Sequence, residues 1–116
     1  MEEKRTPIDI NVYTKGLVYA VPTVSDLSMV SDWLIVIAKT EKRSDEHRNI
    51  YRYASIRLKE STKHSAIPPT KMPILWGNTR NYNFYAATQE QKQQMRKYLL
   101  DNNLKYVKVI NKLIER

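Results

Sequence analysis

Residues 48–59, RNIYRYASIRLK, alternate arginine with tyrosine and then with aliphatic residues. Tyrosine rings can stack on nucleobases, and guanidinium or ammonium groups can meet phosphates. Stacking of this kind contributes ~1–3 kcal/mol per base. Read as a strand, the stretch points successive side chains to opposite faces. Tyr51, Tyr53, Ser55, Arg57 and Lys59 then share a basic, aromatic face. Ile50, Arg52, Ala54, Ile56 and Leu58 face the core, with Arg52 the odd one out. Read as a helix from Ser44, it places Ile50, Tyr53, Ala54 and Leu58 on one stripe and Arg48, Arg52 and Lys59 outside. The strand reading is preferred. A structural explanation stands beside it, because alternating Tyr and Arg on an open sheet face also stabilises a sheet through cross-strand pairs.

A second aromatic group occurs at 80–86, RNYNFYA. As a strand it puts Tyr82, Phe84 and Ala86 on one face and Asn81, Asn83 and Tyr85 on the other. Large aromatics are mostly buried, so Tyr82 and Phe84 are assigned to the core and Tyr85 to the surface. Asn and Arg beside aromatics can also read base edges. Together with the cations of neighbouring segments, the candidate nucleic-acid-binding set is Lys42, Arg43, Arg48, Tyr51, Tyr53, Arg57, Lys59, Arg80, Tyr85, Lys92 and Arg96.

Other chemistries lack their residues. The only histidines, His47 and His64, have no second ligand at metal-binding spacing. Cysteine is absent, which excludes disulfides, cysteine zinc sites and thiol nucleophiles. Two glycines, Gly16 and Gly77, cannot build a phosphate loop, a dinucleotide fingerprint or a nucleophile elbow. Asp45 and Glu46 are adjacent, so their side chains diverge. A tyrosine nucleophile on DNA (Tyr82, Tyr85 or Tyr98) would lack the histidine pair that usually holds the metal. The remaining enzyme class is a metal-independent ribonuclease. His47 or His64 would serve as acid or base, with Arg48 or Lys63 on the phosphate. No catalytic set meets the geometric requirement, so no catalytic residue, metal or cofactor is assigned.

The 116 residues carry a net charge of +8, unevenly placed. Residues 1–38 hold three basic and five acidic side chains, residues 39–80 ten and four, and residues 81–116 seven and three. A field that turns positive at Lys39 attracts polyanions. No apolar run approaches the ~18–20 residues of a membrane span, and the N-terminus lacks the apolar centre of a secretory signal. An intracellular, cytoplasmic protein is expected.

The elements that must position these residues follow from periodicity. Residues 9–21 suggest a hairpin around Thr14-Lys15-Gly16, and Ser25 and Asp26 can cap a short helix over Leu27–Ser31. Residues 33–38, WLIVIA, read as a central strand buried on both faces. Residues 61–73, with three prolines, read as a loop. Ile74–Trp76 form a short strand, Gly77 and Asn78 a turn, and 82–86 another strand. Thr88 and Gln91 form a capping box for a helix to about Asn102, with Met95, Tyr98 and Leu99 inward. The tail alternates at Leu104, Tyr106, Lys108 and Ile110, yet Tyr106, Val109, Ile110 and Leu113 fit helical spacing. A strand over 104–110 is preferred, because Val and Ile dominate it.

The expected fold is a single α+β domain, a mostly antiparallel sheet with one long and one short helix, loosely ferredoxin-like. The expected function is a small basic protein that binds single-stranded DNA or RNA. The alternatives are a protein-binding adaptor or inhibitor, as small viral or mobile-element proteins often are, a metal-independent ribonuclease, and a structural ribonucleoprotein subunit. Strand pairing at a sheet edge makes a homodimer a further expectation.

Overall fold

The run Leu34–Ile37 has no solvent exposure on any of its four side chains. It forms the middle of β2 (Trp33–Lys42), which pairs antiparallel with β1 (Gly16–Pro22) on one side and β3 (Arg48–Arg57) on the other. In the computed structural model, which describes residues 6–13, 15–22, 32–58, 66–67, 72–101 and 107–115, this is the centre of one antiparallel sheet. The far edge of β3 is shared by β4 (Ala66–Ile67) and β5 (Ile74–Asn78), and the far edge of β1 carries β6 (Tyr82–Ala86). Two helices follow, α1 (Gln89–Asp101) and α2 (Val107–Ile114). The fold is α+β. Its likeness to a ferredoxin-like arrangement is only loose, since both of these helices come after β6.

The sheet cannot be flat. β5 and β6 lie four strand spacings apart in the sheet order, about 19 Å in a flat sheet. Only the single 3₁₀ turn Thr79–Asn81 joins them, and a chain from Asn78 to Tyr82 reaches at most about 14 Å. The sheet therefore curls until its two edges approach, and the rings of Trp76 and Tyr82 meet with centroids 4.4 Å apart. Bulges supply part of the bend. Ala38, Tyr53 and Trp76 are each an extra residue in their ladders, and such insertions increase local twist.

Curling gives the sheet an inner and an outer face, each with its own apolar cluster. The inner cluster joins Ile10, Val18, Ala20, Ile35, Ile37, Ile50 and Phe84, with Trp33, Trp76 and Tyr82 packed at its margin. The outer cluster joins Leu17, Leu34, Val36 and Ala54 to Met95 and Leu99 of α1 and Ile110 and Ile114 of α2. α1 begins at the expected capping box: Gln91 N–H donates to Thr88 Oγ1 at 3.1 Å, and Thr88 N–H donates to Gln91 Oε1 at 2.9 Å.

Four expectations change. The tail is a helix over 107–114 rather than a strand over 104–110. Ile110 and Ile114 are fully buried against the outer face, and this apolar stripe outweighs the strand propensity of Val and Ile. Residues 9–13 do not form the first arm of a hairpin. Asp9 instead turns the chain, its side chain accepting from Asn11 N–H at 2.9 Å and its carbonyl from Tyr13 N–H at 3.1 Å. Gly77 and Asn78 end β5 rather than turning it, and the turn falls on Thr79–Asn81. The helix expected at Leu27–Ser31, and most of the loop expected at 61–73, lie outside the described residues, but within that expected loop Ala66 and Ile67 form β4, paired with Ile56 and Ser55 of β3.

The N-terminal turn lies against the strand start. Gly16 has φ +123°, and a Cβ there would overlap the Tyr13 hydroxyl. Gly16→Ala is therefore expected to cost more than about 1 kcal/mol in urea denaturation. Gly77→Ala, where nothing lies within 4 Å of the added carbon, should leave stability within about 0.5 kcal/mol.

Candidate nucleic-acid interface

The stretch 48–57 is a strand, but its alternation breaks at Tyr53. Ala54 faces Val36 and Arg52 faces Ile37, so Tyr53 has no partner of its own in the ladder. The extra residue changes the phase of everything beyond it. Arg48 and Arg52 lie on the inner face before the bulge, and Ser55 and Arg57 join them after it, opposite Ile35 and Trp33. Tyr53, Ala54 and Ile56 pack instead on the outer cluster beneath the helices. The expected face of Tyr51, Tyr53, Ser55 and Arg57 is thus not formed. The two tyrosines point one way, while Arg48, Arg52 and Arg57 share the other.

The three arginines differ in environment. Arg48, half-buried, is held at one end of the sheet: Nε donates to Asn11 Oδ1 at 2.7 Å and Nη1 to Thr40 Oγ1 at 3.3 Å. Its backbone N–H donates to Thr79 Oγ1 at 3.1 Å, which brings the 3₁₀ turn and Arg80 alongside. Lys42, directly across from Arg48, and Arg43 extend this basic end into the β2–β3 hairpin. Glu41, Asp45 and Glu46 lie there too, and the exposed Lys42–Asp45 pair at 3.6 Å contributes at most about 1 kcal/mol.

At the other end, the Arg57 guanidinium lies 5.1 Å over the Trp33 ring. Trp33 and Trp76 meet edge to face at 6.1 Å, and Trp76 continues to Tyr82. All four side chains are half-buried. Burial raises the Tyr82 hydroxyl pKa, with Arg57 pulling the other way. This patch of one cation and three rings is brought together by the curled sheet.

Arg52 sits between the two ends and is only 7% exposed. Its Nε and Nη1 are buried with no hydrogen-bond partner, and desolvation lowers its pKa. Ser55, the next side chain along the inner face, is fully buried with an unpartnered Oγ. Each buried donor left without an acceptor costs about 1–3 kcal/mol, and more on a charged group.

The remaining candidates have structural occupations. Tyr51 is half-buried on the outer face, with Lys39 Nζ 4.8 Å over its ring and its hydroxyl bonded to Glu41, which raises its pKa. Tyr85 lies across from Tyr19, rings 6.3 Å apart, on the helix side. Arg96 ties α1 to the end of α2 through Glu115 at 3.4 Å, and Lys92 is half-buried on α1. Lys59 lies outside the described residues. Tyr82 and Phe84 are core-facing as expected. Trp33 and Trp76 were not singled out, since in sequence they read only as the ends of apolar strands.

His47 sits in the hairpin loop with Nδ1 3.0 Å from Ser44 Oγ. Lys63 and His64, the other residues considered for ribonuclease chemistry, lie outside the described residues. Among the described residues no group of three metal-ligating side chains occurs, and no helix is long and apolar enough to cross a membrane. Comparison with protein-family models, curated proteins and solved structures found no match.

The split of the tyrosines can be checked directly. Tyr53→Ala should destabilise the protein by about 2 kcal/mol, because its ring packs on the outer core. Tyr51→Ala should cost less, about 1 kcal/mol, in the same urea series, because it loses the Lys39 and Glu41 contacts but no core packing.

Proposed function

We propose that the chain binds single-stranded nucleic acid by charge and aromatic stacking. The observation that carries this reading is the Arg57 guanidinium over Trp33, continuous with Trp76 and Tyr82 and half-open to solvent. Every base has a π face, so such a patch accepts bases with little regard to sequence. Arg48, Lys42, Arg43 and Arg80 would hold phosphates at the opposite end of β3, and a ten-residue strand spans about 30 Å. The net charge of +8 would speed encounter with such a polyanion. An intracellular, cytoplasmic location fits this reading.

A protein-binding adaptor is the second reading. One observation favours it: Met72, just before β5, and Ile74 and Leu75 at its start are exposed, at 75%, 44% and 52% of their surface. Addition of a partner strand along β5 would cover them, and a second copy of this chain could supply that strand.

Fluorescence anisotropy with labelled single-stranded DNA, single-stranded RNA and duplex DNA, at 50 and 200 mM salt, tests the first reading. Single strands should bind best, and four phosphate contacts should weaken binding roughly fifty-fold over that salt range. The double variant Lys42→Gln, Arg43→Gln should flatten the salt slope by about 1.4 units. Absence of binding to all three at 50 mM salt would falsify the nucleic-acid reading.

A further inference from the structure

We propose that Arg52, Ser55 and Arg57 form a pocket for the terminal phosphate of a nucleotide whose base lies against Trp33 and Trp76. This rests on the nucleic-acid reading and gives its surface a specific end. The bulge at Tyr53 makes the three side chains consecutive on the inner face, opposite Ile37, Ile35 and Trp33 of β2. Successive same-face positions on a strand are about 6.6 Å apart, close enough for one phosphate to reach two of them.

The donors suit a phosphate. Arg52 presents buried Nε and Nη1, both unpartnered, in the planar fork that matches two phosphate oxygens. Ser55 Oγ adds an unpartnered hydroxyl, and Arg57 brings a second positive charge at the outer end of the row. Ile74, opposite Arg52 across the β3–β5 ladder, is 44% exposed, so the ladder position next to Arg52 is open to solvent.

The depth of Arg52 selects the kind of phosphate. An internal phosphodiester carries a sugar on both sides, and both would have to enter with it. A phosphate monoester carries one and can enter end-on. Its base then falls toward the adjoining indoles, where stacking is available. The same chemistry is offered by a free nucleoside monophosphate and by the phosphorylated end of a strand, at its 5′ or 3′ terminus.

Affinity of the full chain for 5′-phosphate, 3′-phosphate and unphosphorylated forms of one oligonucleotide tests the proposal. In parallel, the melting temperature is followed with nucleoside monophosphate, nucleoside, inorganic phosphate or acetate at constant ionic strength. One phosphorylated end should bind at least tenfold tighter than the unphosphorylated strand. The monophosphate, at one hundred times its dissociation constant, should raise Tm by at least about 5 °C, and the nucleoside should not. Arg52→Met should bring the ratio of phosphorylated to unphosphorylated affinity close to one. It should also keep a cooperative urea transition, since apolar replacement of a buried charge is often neutral or stabilising. Ser55→Ala should lower the same ratio several-fold and serves if Arg52→Met fails to fold. Equal affinity for all three ends, with no Tm response to monophosphate, overturns the pocket while leaving the nucleic-acid reading intact. A Tm response to monophosphate without oligonucleotide binding supports the pocket and overturns that reading. A Tm response to acetate equal to that of monophosphate overturns the assignment to phosphate.

Discussion

The shape of the molecule hangs on the shortness of one connection. Three residues join β5 to β6, although the two strands occupy opposite sides of the sheet order. Covalent reach alone then requires the sheet to roll up. Rolling creates an inner face, which among the described residues is filled by side chains from the strands and from the N-terminal turn. The outer face is left to α1 and α2. A flat sheet of the same strands would separate Trp76 from Tyr82, so the continuous aromatic patch of the candidate interface is a product of closure.

Within that frame the bulge at Tyr53 decides which side chains can cooperate. A strand with strict alternation would have put Arg57 beside Tyr51 and Tyr53, and Arg48 with Arg52 alone. One inserted residue exchanges the partnerships beyond it. The cations of β3 gather on the inner face, where indoles from β2 and β5 are within reach. The tyrosines go to the outer face, where Tyr53 packs under the helices and Tyr51 engages Glu41 and Lys39. The bulge opposite, at Ala38, keeps Lys39 on the outer face, so the electrostatic content of the two faces is set by two inserted residues.

Much of the architecture was legible because it rests on local signals. The unbroken apolar run at β2, the Thr88–Gln91 box and the strand character of 48–57 need no knowledge of distant contacts. The assignment of Tyr82 and Phe84 to the core followed from their bulk and their alternation. The rest depended on what lies across the ladder. Nothing in RNIYRYASIRLK marks Tyr53 as the inserted residue, because insertion is defined by Val36 and Ile37 on the neighbouring strand. Trp33 and Trp76 belong to separate strands, and only the curl brings their rings together. The tail carried two periodicities in one segment, and its environment chose between them. The described edge of β6 already receives Ile8, whose N–H donates to Phe84 O at 2.7 Å, whereas the outer face of β1 and β2 offered an apolar bed for Ile110 and Ile114.

Arg52 is the place where local and global requirements conflict. An aliphatic residue at this position would match Ile37 and Ile50 beside it and avoid the desolvation of a guanidinium. Good packing alone therefore does not account for arginine. In the proposed phosphate site, the gain from arginine would lie in what a dry, fixed donor can do when an anion arrives. Its side chain is already ordered by burial, so little conformational freedom remains to be lost on binding. Its Nε and Nη1 donors are shielded from water, so an incoming oxyanion displaces little solvent from them, and the interaction acts across a medium of lower dielectric than the surface. Arg48, hydrogen-bonded to Asn11 and Thr40 at the other end of the same face, lacks these properties and would act mainly as a held surface charge. Two arginines on one face of one strand thus sit in different environments, and burial with unpartnered donors is what separates them.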